Sequence, residues 1–247
     1  MNDDPNLVYR TLDTSTVLRH RATMVVTPQG GAIRTLIKGA ARHPTGRYVS
    51  AKAGRAQPWK SLDELARIIV CEVDPSVRTY QVQPHRIDFH LPRRVVHFFA
   101  DLRIDRWDGA VDIELSPAGK DVSKGEVIDW ARVVYDALGW RLRLRTAEDR
   151  SRSSVIEANC KLIEGDRFAV VPPSALLLAR RIVEGAGGQV PYGELIAAIG
   201  ESVGGKPRGR AVVHAMIVHG QLDLDLATPI RPRTPVRLKR SRVETSP

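Results

Sequence analysis

Three acids, Glu64, Asp101 and Glu114, are the residues of this chain best placed to do chemistry. Glu64 closes the segment Ser61-Leu62-Asp63-Glu64. Asp101 follows the run His97-Phe98-Phe99-Ala100, and Glu114 lies within Val111-Asp112-Ile113-Glu114-Leu115. Carboxylates on a helix and on two neighbouring strands are what metal-dependent phosphodiester hydrolysis uses. A divalent cation held by such acids lowers the pKa of a water and offsets charge on the reacting phosphoryl group. A carboxylate among apolar neighbours is costly to bury without a partner or an ion. Strand alternation puts Asp112 and Glu114 on one face and Ile113 and Leu115 on the other. A hairpin then brings Asp101 beside Glu114 if their faces match. Two plainer readings stand beside this one. Ser61-x-x-Glu64 is also a capping box at a helix start. Asp101 and Glu114 can also pair with arginines such as Arg103 or Arg143.

The elements that must position these acids are legible in the periodicity. Leu62, Leu65, Ile68, Ile69 and Val73 recur at helical spacing after Ser61, and Asp74-Pro75 stops that helix. Extended pieces follow at 77–83, 86–91 and 95–104, with Pro92-Arg93-Arg94 as a hairpin turn. Trp107-Asp108-Gly109 turns into a strand over 110–115. A helix is expected from about Lys124 to Leu138, with Gly139 as its C-terminal cap. Residues 140–146 alternate strictly, with Leu142 and Leu144 on one face and Arg141, Arg143 and Arg145 on the other. Helix, antiparallel strands, helix and strand in that order imply a mixed α/β sheet flanked by helices. The three arginines present a track for DNA phosphates, which fixes position without reading sequence.

Residues 1–45 read as a mostly flexible arm with a short strand near Met24–Val26, carrying Arg19, Arg21, Arg34 and Lys38. Composition changes after Glu148, where 150–154 reads as a connector. Helices are then expected at 174–185, 192–199 and 208–219, followed by short strands at 222–226 and 235–238. Three helices and a β-hairpin outline an α+β winged helix over 153–240, with a tail at 241–247. Its third helix would serve recognition, with Arg208, Arg210 and His214 toward a DNA groove. Asp223 and Asp225 alternate with leucines and read as a strand's solvent face.

Bulk composition agrees with a globular chain that meets a polyanion. The 247 residues carry a formal charge of +10 and 43% hydrophobic residues. The two cysteines, Cys71 and Cys160, lack zinc-ligand spacing and suit a reducing cytoplasm. Residues 1–6 are polar and acidic, unlike a secretory leader, and no apolar run is long enough to span a membrane. No glycine-rich phosphate loop occurs, since the glycines of 185–188 lack a following Lys-Ser or Lys-Thr. The expected location is the cytoplasm, at the nucleoid.

From Gly46 to Glu148, within an expected domain over 46–150, the chain resembles the TnsA-type transposase endonucleases. The residues that carry the resemblance are Ser61-x-x-Glu64 and Asp74-Pro75-x-Val77-x-x-Tyr80-x-x-Gln83-Pro84. An apolar strand ending at Asp101, Ile113-Glu114-Leu115-Ser116-Pro117 and Leu144-Arg145-Thr146-Ala147-Glu148 continue it. The resemblance implies a restriction-endonuclease-like core of the PD-(D/E)XK type. It places Glu64, Asp101 and Glu114 at metal-binding positions for Mg²⁺ or Mn²⁺. It also implies double-stranded DNA as substrate, and a transposase as protein partner through the C-terminal domain. The chain departs from the pattern at Ser116, where the catalytic lysine would stand, and at Ala100, where proline is usual. Serine donates a hydrogen bond but carries no charge. Lys120 or Lys124, in the following loop or helix start, is a candidate to substitute for that lysine by position. The rival expectation is a nuclease fold retained for binding alone, as a DNA-binding regulator or adaptor subunit.

Overall fold

The protein, described from a computed structural model over residues 7–12, 21–34, 44–116, 123–146, 149 and 154–239, is a mixed α/β chain. Its first elements are β1 (Val8–Leu12), β2 (Arg21–Val26), β3 (Gly46–Ser50), β4 (Arg55–Trp59) and α1 (Leu62–Val73). Next come β5 (Val77–Val82), β6 (Arg86–Leu91), β7 (Arg94–Phe99), β8 (Leu102–Arg106), β9 (Val111–Leu115), α2 (Ser123–Ala137) and β10 (Arg141–Leu144). The remainder holds α3 (Ser154–Glu164), α4 (Pro173–Gly185), β11 (Val190–Pro191), α5 (Tyr192–Val203), α6 (Lys206–Val218), β12 (Leu222–Leu224) and β13 (Pro235–Leu238). Among the described residues, no helix is long and apolar enough to cross a membrane.

The chain divides into two compact units whose break at Arg150/Ser151 falls at the expected connector, but 50–55 and 63–78 belong with the C-terminal residues. The first comprises Met1–Val49, Ala56–Leu62 and Thr79–Arg150; the second comprises Ser50–Arg55, Asp63–Arg78 and Ser151–Pro247. Nearly all of α1 therefore belongs with the C-terminal residues.

In the first unit, two four-stranded sheets run in the orders β1-β2-β6-β7 and β10-β9-β8-β5. Ala22, Met24, Ile87, Phe89 and Phe98 of one sheet share a core with Ile113 of the other and with Ala131, Val134 and Tyr135 of α2. The N-terminal residues are thus not simply an arm. β1 and β2 pair antiparallel, and β2 pairs with β6 from Arg21↔His90 to Val25↔Arg86. Ala22, Thr23, Met24 and Val25 are all buried, so the alternation that marks a half-exposed strand is absent. The single strand expected over 95–104 is two. β7 pairs antiparallel with β6, the chain breaks at Ala100-Asp101, and β8 pairs antiparallel with β9 in the other sheet. β9 and β10 are parallel, with α2 lying between them in the chain.

In the second unit, α1 ends against a polar cluster. Lys52 Nζ donates to the carbonyls of Asp74 (2.6 Å) and Cys71 (3.2 Å), groups that a helix end leaves without partners. Glu72, fully buried, accepts from Ser50 Oγ at 2.6 Å and from the Ala51 N–H at 2.7 Å. Helix α3, expected only as a connector and domain start, buries Asn159, Cys160 and Ile163. Helices α5 and α6 come closer than side chains allow, since a Cβ on Gly209 would lie 2.5 Å from the Gly200 nitrogen and the Ile196 oxygen. Strands β11, β13 and β12 form a small antiparallel sheet in that order.

Candidate functional site

Asp101 owes its position to the break between β7 and β8. Its N–H donates to the Glu114 carbonyl (3.1 Å), and its own carbonyl accepts the Gln83 N–H (2.8 Å). Its carboxylate Oδ2 accepts the Ser116 N–H at 2.9 Å. The main chain therefore holds this acid on three sides. In the β8–β9 hairpin Leu102, not Asp101, stands opposite Glu114, and Ile104 stands opposite Asp112. Opposed residues share a face, so Glu114 and Asp112 project with Leu102 and Ile104. Asp101 lies just before the strand and does not follow its alternation, so the expected side-by-side pairing with Glu114 is not the register observed.

Gln83 carries a positive φ of 45° and is buried. A glutamine in this region is strained, and such strain persists where the surroundings over-determine it. Its N–H reaches Asp101, as above, and its carbonyl accepts the Ile33 N–H at 2.9 Å. Two hydrogen bonds thus connect the segment ending at Arg34 with the acid.

The Asp101 carboxylate opens on a cleft of about 500 Å³ lined also by Arg34, Lys60, Arg94, Ser116 and Glu126. Burial pushes the Asp101 pKa up. The Ser116 N–H and the Lys60 and Arg34 charges oppose that shift, and the Glu114 charge adds to it. The Arg34 guanidinium lies 3.1 Å from the centroid of the Phe99 ring. Burial lowers its pKa, the Asp101 charge raises it, and Arg86 lowers it further.

The other expected residues fall as follows. Ser116 reaches Asp101 through its backbone N–H. Glu64, in the first turn of α1, belongs to the second unit and Asp101 and Glu114 to the first. Lys120 lies outside the described residues, as does the side chain of Lys124. Among the described residues, no group of three His, Cys, Asp or Glu is arranged to hold a metal ion. Arg34, read as part of an arm, lines the cleft, and Lys60 went unread as a site residue. Its one sequence signal was a lysine directly before the cap of a helix that carries a candidate acid.

The arginine face of β10 is not simply a free track. Asp112, 0% exposed, lies 2.8 Å from Arg141 Nε and 3.1 Å from Arg143 Nε, and accepts from Arg106 Nε at 2.7 Å. Burial alone would raise the Asp112 pKa; Arg106 and Arg143 more than offset it and hold the group below its ordinary value. Arg141 and Arg143 remain about half exposed, at 51% and 52%, and three cations share one anion. The Arg145 N–H extends the pairing to the Leu115 carbonyl at 2.9 Å.

In the second unit Arg208 and Arg210 are exposed, but His214 is not available to a groove. It is fully buried, with Nδ1 2.6 Å from Asp166 Oδ2 and Nε2 in contact with the Tyr192 hydroxyl. Burial lowers its pKa, against the pull of Asp166. The whole C-terminal half of α6, Val212 to Val218, is buried on all sides, which corrects the expected one-sided recognition helix.

No protein-family model matches the chain, and no curated protein matches it. Among solved structures, the crystal structure of protein VC1899 from Vibrio cholerae is similar over 37% of this chain, with 16% identity and a TM-score of 0.24. The chain covers 26% of that protein's length. The resemblance to TnsA-type endonucleases rests on the motif residues alone.

Proposed function

We propose that the protein binds double-stranded DNA and hydrolyses a phosphodiester bond at the Asp101 cleft, with Mg²⁺ or Mn²⁺ held by Asp101 and Glu114. The observation that carries this reading is a half-buried acid and three cationic side chains lining one cleft. Asp101 lines the cleft, and Glu114, which does not, would be the second donor. Two carboxylates lie near enough for the Glu114 charge to act on Asp101, and Mg²⁺ usually takes one or two carboxylates, water and substrate phosphate. Bound there, the ion would supply charge neutralisation and a water of lowered pKa. The protein's own part is to orient Asp101 through the Ser116 N–H and to surround the phosphate with positive charge.

In the first unit, the sheet order β10-β9-β8-β5, with β9 and β10 parallel and α2 between them in the chain, supports a restriction-endonuclease-like core. The order α4-β11-α5-α6-β12-β13 supports a winged helix in the second unit, with DNA contact through Arg208 and Arg210 rather than His214. By the same resemblance, full turnover involves a transposase partner. The test needs none: calorimetric titration of Mn²⁺ into the protein and into Asp101→Asn, followed by nicking of supercoiled plasmid. Binding and nicking that both vanish in Asp101→Asn support the reading.

A second reading, a DNA-binding subunit without chemistry, is favoured by the uncharged Ser116 side chain. It predicts a salt-sensitive DNA complex, no heat of metal binding with or without duplex, and metal-dependent nicking gained only in Ser116→Lys.

A further inference from the structure

We propose that Arg34 and Lys60 together grip a phosphate group in the cleft beside Asp101, so that two stretches distant in sequence supply the anion-binding half of the site. The inference rests on the nucleic-acid reading for its natural ligand, but it concerns a site that the sequence motifs did not assign.

Four observations carry it. First, both side chains line the same cleft as the Asp101 carboxylate and the Ser116 backbone. Second, the Arg34 guanidinium carbon lies over the Phe99 ring, 3.1 Å from its centroid, so the ring helps to place the cation. A guanidinium is suited to a pair of phosphate oxygens. Third, the Arg34 segment is tied to the acid by the main chain, from Ile33 N–H to the Gln83 carbonyl (2.9 Å) and from Gln83 N–H to the Asp101 carbonyl (2.8 Å). The same segment is anchored further back, where Gln81 Nε2 donates to the Gly31 carbonyl at 3.0 Å. Cation and acid are therefore placed by one framework. Fourth, the cleft mixes charges: Arg34, Lys60 and Arg94 face Asp101 and Glu126. Cations in excess over acids suit a phosphate arriving with its counter-ion. Preorganised positive charge where charge develops is also what a phosphoryl-transfer site requires.

The bland alternative is that Arg34 and Lys60 only offset the charge of Asp101. The two ideas differ for an added anion. Inorganic pyrophosphate, titrated calorimetrically in the presence of a chelator, is the probe. Wild type should bind it, Arg34→Ala and Lys60→Met should each weaken binding at least about tenfold, and Lys60→Arg should keep most of it. Asp101→Asn should tighten binding, since one repelling charge is gone. Arg132→Ala, whose guanidinium pairs with the exposed Asp129 carboxylate, should change nothing. Should Arg34→Ala fail to fold, Arg34→Gln serves, with thermal unfolding as the check. Absence of pyrophosphate binding in wild type, or equal binding in the Arg34 and Lys60 variants, overturns the proposal. Pyrophosphate binding without any Asp101-dependent heat of Mn²⁺ binding, with or without duplex, leaves the grip standing and removes the hydrolase reading, so the two failures are distinguishable.

Discussion

Ser116 holds Asp101 through its main chain: the Ser116 N–H lies 2.9 Å from Asp101 Oδ2. The orientation of the acid therefore does not depend on which side chain stands at 116, provided the residue has an N–H. Ser116→Ala should change stability by less than about 0.5 kcal/mol. Ser116→Pro removes the donor and should cost about 1.5–3 kcal/mol, the range for a hydrogen bond to a charged group. Urea denaturation of the two variants is the check. Equal stabilities would mean the bond contributes nothing.

Asp101→Asn should separate activity from stability. Burial raises the pKa of this carboxyl, so the fold favours its protonated form. The sign follows: the stabilising contribution is present at low pH and is lost as pH rises through the folded value. At neutral pH the charge is a cost, and an amide keeps the Ser116 hydrogen bond without it. Metal-dependent nicking should disappear while Tm rises rather than falls. A lower Tm would show that the carboxylate is a structural group.

Asp112→Ala should be the most damaging of these changes. It removes a buried anion shared by Arg106, Arg141 and Arg143. Breaking a buried pair costs about 3–5 kcal/mol; here the partial exposure of Arg141 and Arg143 puts the loss toward the lower end. Chemical denaturation measures it directly. A loss under about 1 kcal/mol would mean that the arginines pair with water as well as with Asp112.

His85 should give the protein part of its acid sensitivity. It is buried with Nε2 2.7 Å from the Tyr135 hydroxyl, and burial together with the Arg103 charge pushes its pKa down to about 3. In the unfolded chain the value is about 6.5. Between those values the unfolded chain binds the proton and the folded one does not, so stability falls as pH falls below about 6.5, by about 1.4 kcal/mol per pH unit. Comparing unfolding free energies at pH 6.5 and pH 5, His85→Gln should lose about 1.6 kcal/mol less than wild type over that interval. Parallel pH profiles for the two proteins would exclude His85 as the source.

The parts legible in the sequence were those set by local pattern. Ser61 and Asp74-Pro75 bracket α1 as expected, the turn at Pro92-Arg93 separates β6 from β7, and α2 begins and ends within a residue of its predicted bounds. What escaped was decided at long range. β2 is a central strand with β1 and β6 on its two edges and is buried on both faces, and nothing within Arg21–Val26 announces β6 or the chain that covers those faces. The break at Ala100-Asp101 looked like continuous strand because both flanks are apolar; only the change of sheet reveals it. Arg34 and Lys60 meet the acid through chain folding rather than spacing, so no motif contained them. His214 read as exposed because its helix has polar residues at its start, whereas its later turns are enclosed on every side.

The division of the chain into units has a consequence for how this protein can be taken apart. The second unit is assembled from Ser50–Arg55, Asp63–Arg78 and Ser151–Pro247, with pieces of the first unit threaded between them. No single breakpoint in the coding sequence separates one unit from the other. A fragment ending at Arg150 would carry α1 without the helices it is grouped with, and a fragment starting at Ser151 would lack α1 and Lys52. Recombination that shuffles modules by one crossover would break both units at once. Inheritance and engineering alike must therefore treat the pair as one exchangeable piece.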